Sequence, residues 1–214
     1  MKIAKLEPSK RVKGRWLVWL DDGSLLRCGE HQVADFSLYV GLELSESDYE
    51  KLSQAASREA VRGKALDLVS ARPLSRRELV EKLTARPRDR EKQPFATPEQ
   101  AEEAADFLEK LGYLDDAEYA RTVARHYSAK GFGARKIRDE LDRRGVPREH
   151  WDEALECAAP PEDGVDEFLR KRFKGEAPDQ KELKRASDAL ARRGFRWDEI
   201  KAGLARYGAD TGDE

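Results

Sequence analysis

Residues 111–145 read LGYLDDAEYARTVARHYSAKGFGARKIRDELDRRG, and the fold turns on this stretch. Leu111 and Gly112 read as a helix stop, and Asp115 and Asp116 as an acidic restart. One amphipathic helix then runs to the break at Lys130 and Gly131, with Ala120, Val123, Ala124 and Tyr127 inward. A second begins at Gly133, turns Ala134, Ile137 and Leu141 inward, and ends at Arg143, Arg144 and Gly145. Pro147 primes a third helix carrying Trp151, Ala154, Leu155 and Ala158.

The pattern recurs downstream. KIRDELDRRGVPREHWDEAL at 136–155 overlays ELKRASDALARRGFRWDEIKAGL at 182–204, each a helix, an Arg-Arg-Gly end and an acidic-capped helix. SRRELVEKL at 75–83 is a weaker copy of the leading helix, with Ser75 and Glu78 at capping-box spacing. Thr97, Pro98 and Gln100 start a further helix whose stripe is Ala101, Ala104, Leu108 and Leu111. Three units of three helices follow: residues 58–114, 115–159 and 160–208, with 209–214 an acidic tail. Repeats of this size bury their stripes against neighbours, so the expected fold is mainly α, an elongated, gently curved array that offers surface rather than a pocket.

Residues 1–57 read differently. Residues 15–20, RWLVWL, form a strand, Asp21, Asp22 and Gly23 turn the chain, and residues 24–28 return. Residues 3–6 supply a third strand, and alternation puts Trp16 and Val18 on one face, Leu17 and Trp19 on the other. Ser45 caps a helix through Leu52 and Ala56 that can run on to Ala71, where Pro73 ends it. Residues 86–96 form a charged, Pro-containing loop.

Composition bounds the function. The chain has 214 residues, of which 39% are hydrophobic and 39% charged; that suits small stacked units better than one large core. Its 41 basic and 43 acidic residues nearly cancel, so segregation of charge matters more than its sum. Two distant cysteines, Cys28 and Cys157, fit a reducing compartment. No apolar run approaches the roughly 18 residues that a bilayer span needs, and the start MKIAKLEPSKR has no apolar core of a signal peptide. A cytoplasmic protein that does not enter the membrane is expected.

No catalytic constellation emerges. His31, His126 and His150 lie in unrelated segments; Cys28 and His31 have no second ligand pair; no phosphate-binding loop or nucleophile elbow occurs. Asp115 and Asp116 sit where helix caps belong. The basic residues are more informative: Arg76, Arg77, Arg135, Lys136, Arg138, Arg143, Arg144, Arg192 and Arg193 occupy related places in the repeats. Two readings stand. They form a basic ribbon facing phosphates or an acidic protein groove, or they are solvated helix residues paired with neighbours such as Asp139, Glu140 and Asp142.

The residues ARPLSRREL at 71–79 and GYLDDAEYA at 112–120, followed by Gly131, Ile137, Leu141 and Gly145, resemble the RecX regulatory proteins, modulators of the bacterial recombinase RecA. The resemblance spans about 58–205 and is looser in the strand–turn around Leu20, Asp21, Asp22 and Gly23. It implies tandem three-helix repeats that bind the RecA–DNA filament, inhibit its ATPase and strand exchange, and so modulate homologous recombination and DNA repair. It implies no active site and no cofactor or metal, with action as a monomer. A direct DNA-binding helix-turn-helix-like protein and an adaptor without nucleic acid are the alternative expectations.

Overall fold

In the computed structural model, which describes residues 1–87, 93–174 and 178–208, ten α-helices follow a three-stranded sheet. The acidic tail 209–214 and the middle of the 86–96 loop lie outside the described residues. The chain divides into two compact units, Met1–Arg72 with Leu79–Tyr113, and Pro73–Glu78 with Leu114–Glu214.

The first unit begins with β1 (Ile3–Pro8), β2 (Arg15–Leu20) and β3 (Leu25–Gly29), antiparallel in that order. Val18 pairs with Leu6 and Leu26, and Leu17 with Glu7 and Arg27, so the faces alternate as the pattern predicts. Ile3, Val18, Leu20 and Cys28 are buried with Leu38, Leu44, Leu52 and Ala56. Burial pushes the Cys28 thiol up to about 11. A short helix α1 (Glu30–Asp35) follows β3, in a stretch before Ser45 to which the sequence pattern assigns no helix. It forms because Gln32 Oε1 accepts the Gly29 N–H at 2.6 Å, which ties its first turn without a capping hydroxyl.

Helix α2 (Glu46–Ala71) is capped by Ser45, whose Oγ accepts the Asp48 N–H at 3.1 Å. It runs unbroken through residues 57 and 58, where the sequence places the join between the sheet segment and the first repeat. Its first half buries Leu52 and Ala56 in the sheet's core, and its second half buries Val61 and Ala65. Helices α3 (Arg76–Thr84) and α4 (Pro98–Lys110) complete the first three-helix set. Thr97 and Gln100 form a capping box at the expected start of α4, and Gln100 also donates to Ser57 Oγ at 2.9 Å. Leu111 corrects the sequence reading: it is the C-cap of α4, 53% exposed, not part of the buried stripe, which ends at Leu108.

The second unit holds α5 (Asp116–Ala129), α6 (Ala134–Arg143), a 3-10 turn at Arg148–His150 and α7 (Trp151–Glu156). It continues with α8 (Pro161–Phe173), α9 (Gln180–Arg192) and α10 (Trp197–Arg206). Each three-helix set has its own core: Tyr119, Val123, Ile137, Leu141 and Val146 in one, Val165, Leu169, Leu190, Ile200 and Leu204 in the other. The two sets meet through main chain. Gly133 N–H donates to the Arg193 carbonyl at 2.9 Å and Arg135 N–H to the Gly194 carbonyl at 3.1 Å. The end of α9 thereby supplies acceptors for the open N-terminus of α6.

This junction requires glycine. Gly194 has φ +89, and a Cβ there would press on the main-chain nitrogen of Lys136; one at Gly133 would press on the Gly194 carbonyl. Gly194→Ala is therefore expected to cost about 2 kcal/mol or more, from left-handed strain plus a backbone collision. Gly131→Ala, at φ +75 but facing only the end of the Arg193 side chain, is expected to cost about 1 kcal/mol. Urea unfolding followed by circular dichroism measures both; equal losses would mean that the close approach carries no weight.

Candidate functional site

The nine basic residues singled out by the repeat pattern take three different positions. Four gather in a joint within the second unit. Ser75 Oγ donates to the Arg144 carbonyl and accepts the Glu78 N–H at 3.1 Å, so one hydroxyl both caps α3 and holds the end of α6. Asp116 Oδ1 accepts the Arg76 N–H at 2.8 Å, while Asp115 caps α5 by accepting the Glu118 N–H at 2.9 Å. The aspartate pair is thus a pair of caps for two different helices. A Cβ on Gly145, at φ +67, would run into the methylenes of Arg77.

Glu140 is the hub of this joint, 6% exposed. It accepts from Arg143 Nη2 at 2.5 Å and Nε at 2.9 Å, and from Arg144 Nε at 2.6 Å. Arg144 Nη1 donates to the Tyr119 hydroxyl at 2.6 Å, and that hydroxyl donates to Glu78 at 3.0 Å. Both Glu140 oxygens are satisfied, which makes a buried carboxylate tolerable. Hydrogen bonds from Arg143 and Arg144 lower its pKa to about 2 against the opposing effect of burial. Arg144 is accordingly structural, and Arg143 is exposed but engaged.

Arg138 and Arg193 form a second kind. Arg138 reaches Asp152 at 3.5 Å across repeat two. Arg193 lies over the Phe168 ring at 4.8 Å and donates to the Gly131 carbonyl at 3.4 Å, clamping α8 and the α5 end.

Arg135, Lys136 and Arg192 are the third kind. With Asp139, Ala191 and Gly194 they line an open groove of about 410 Å³ between α6 and the end of α9. None of the three has an ion-pair partner among the described residues. Their backbones are fixed by the same two main-chain bonds that join the repeats, so the cations stand on a rigid frame. Sequence reasoning grouped these three with the engaged arginines. Sequence spacing does not separate them: Glu140, three and four residues before Arg143 and Arg144, pairs with both, whereas Asp188, four residues before Arg192, makes no such pair.

Stacked three-helix units with a shallow cationic groove define a helical-repeat protein of the helix-turn-helix-like kind. Residues 115–155 match the model of the RecX second three-helix domain. Over 156 residues the chain is 35% identical to a regulatory protein RecX of Pseudomonas tolaasii, covering 72% of this chain and 94% of the relative. A RecX of Xanthomonas axonopodis pv. citri is 36% identical over 143 residues, 65% and 82% of the two chains. A crystal structure of regulatory protein RecX superposes with TM-score 0.70 at 24% identity, over 95% of this chain and 98% of the other. That of RecX from Lactobacillus salivarius gives 0.60 at 17%, over 72% and 98%. The chain belongs to the RecX family of regulatory proteins.

The Glu140 hub has a pH signature. Its folded pKa lies below the usual 4.5, so its stabilisation is full above that value and is lost as pH falls from about 4.5 toward 2. The loss is expected to be on the order of 2–3 kcal/mol. Glu140→Gln should lower stability at neutral pH, since Arg144 keeps its buried charge without a carboxylate. It should also flatten the acid limb of a stability-against-pH profile measured by urea titration; an unchanged acid limb would rule out the hub as its source.

Proposed function

We propose that the chain binds the filament that RecA forms on DNA and restrains its ATP hydrolysis and strand exchange, thereby modulating homologous recombination and DNA repair. In this reading it acts in the cytoplasm as a monomer, with no catalytic residue, cofactor or metal of its own. Membership of the RecX regulatory family supports the reading. The observation that carries it to particular residues is the groove lined by Arg135, Lys136 and Arg192, three cations without ion-pair partners among the described residues, on a fixed frame. Such a groove suits phosphates within a nucleoprotein filament or an acidic protein surface, because its charge is neither neutralised internally nor mobile on a loop. Filament binding spreads over many modest contacts with a few anchors, and these three are the proposed anchors. Arg76, Arg77, Arg138, Arg143, Arg144 and Arg193 then act chiefly through contacts within the fold.

ATP hydrolysis by a RecA recombinase on single-stranded DNA, titrated with this chain, tests the proposal. The rate is expected to fall, and the Arg135→Gln, Lys136→Gln, Arg192→Gln variant should need about tenfold more protein for half-inhibition, the equivalent of about 1.4 kcal/mol, while melting at the same temperature. No inhibition up to a clear excess would overturn the reading. The second reading, a direct DNA binder, is favoured by the same unpaired cations. It predicts tight duplex binding without recombinase, with a log–log salt slope of about −0.9 per phosphate neutralised.

A further inference from the structure

The outer face of the sheet is the basic surface that the helical repeats do not explain. Alternation sends Val18, Leu20, Leu26 and Cys28 into the core, so Arg15, Leu17, Trp19, Leu25 and Arg27 face away from it. Register places Lys5 and Glu7 of β1 beside them. The loop 9–14 closes over one end in a fixed shape: Ser9 Oγ accepts the N–H groups of Arg11 and Val12 at 3.3 Å each, and Ser9 N–H donates to the Arg15 carbonyl at 2.7 Å. The result is a groove of about 550 Å³ with Leu17 and Leu25 in its floor and Lys10, Arg11, Arg15 and Arg27 around it.

Charge is unbalanced here. Glu7 is the acid lining the groove, and Lys5 takes it up at 2.8 Å. Lys10, Arg11, Arg15 and Arg27 have no ion-pair partner among the described residues. Trp19 adds a half-buried ring to the same face, its indole N–H without an acceptor among the described residues.

We propose that this face is a second binding site, one for single-stranded nucleic acid. Cations around a flat apolar floor match a strand whose phosphates meet Lys10, Arg11, Arg15 and Arg27 while unstacked bases cover Leu17, Leu25 and Trp19. A duplex hides its base faces and leaves that floor uncovered. An acidic peptide supplies the charge but not the flat apolar surface.

Binding of a fluorescein-labelled oligothymidylate of about 12 nucleotides to the full chain, followed by anisotropy with recombinase absent, tests the site separately from the regulatory role. Lys10→Gln, Arg11→Gln, Arg15→Gln and Arg27→Gln together are expected to weaken binding tenfold or more. They should also reduce the log–log salt slope by up to about 0.7 for each phosphate left without its cation. Thermal melting should match the parent, because the charged ends of these four side chains form no ion pair among the described residues. Quenching of tryptophan fluorescence by the oligonucleotide should diminish in Trp19→Phe. The proposal is overturned if the parent does not bind, or if the fourfold variant binds as well as the parent. It is also overturned if duplex DNA or a polyglutamate peptide displaces the probe as effectively as an unlabelled single strand does. Loss of binding in the Arg135, Lys136 and Arg192 variant, with retention in the sheet variant, would place the site on the repeats instead.

Discussion

Two hydrogen bonds, from Gly133 N–H to the Arg193 carbonyl and from Arg135 N–H to the Gly194 carbonyl, set the arrangement of the second unit. A helix begins with several N–H groups that lack partners, and Gly133 offers no side chain to satisfy them. The carbonyls at the end of α9 fill that need, so each helix end solves the other's problem. The demand on geometry is severe, since carbonyls can approach this closely only if neither Gly133 nor Gly194 carries a Cβ. Phe195, buried, then packs where a Cβ on Gly164 would otherwise stand, and the third set's core closes behind the junction. Repeats joined by backbone rather than by side-chain ion pairs hold their spacing independently of salt.

That constraint also decides which cations remain available. Arg193, whose carbonyl accepts from Gly133, lies inward over Phe168. Arg192, one residue earlier on the helix, is left facing outward beside Arg135 and Lys136. At the corresponding end of α6, Glu140 captures both Arg143 and Arg144, and Tyr119 and Glu78 extend the network. Identical Arg-Arg-Gly phrases therefore serve different ends: one locks a joint, the other divides between a clamp and a groove.

The architecture was legible because it is written in local chemistry. Glycines at 112, 131, 145 and 194 adopt positive φ after helix ends, and Ser45, Thr97, Asp115 and Asp179 cap helix starts, each a property of a few neighbouring residues. Leu111 misled because helical spacing alone cannot tell the last buried turn from the C-cap just beyond it. Helix α1 was illegible because its start depends on Gln32 rather than on a standard cap. The candidate site was only half legible. Repeat position grouped these arginines together, but whether each is engaged depends on partners such as Tyr119 and Phe168, 25 residues away in sequence in both cases.

A net charge of −2 on 41 basic and 43 acidic residues would suggest an electrically indifferent surface. Pairing changes that conclusion. Glu118, Glu140, Asp152 and Asp166 are taken up by arginines on the helices, so these acids are neutralised within the repeats. Among the cations without ion-pair partners among the described residues, Arg135, Lys136 and Arg192 line one groove, and Lys10, Arg11, Arg15 and Arg27 line another. Local potential at a surface follows such residual charge and not the total, because screening confines each charge to about 8–10 Å at moderate salt. A near-neutral chain can thus present surfaces attractive to phosphate while its overall charge keeps it from the non-specific adhesion that a uniformly basic protein would suffer.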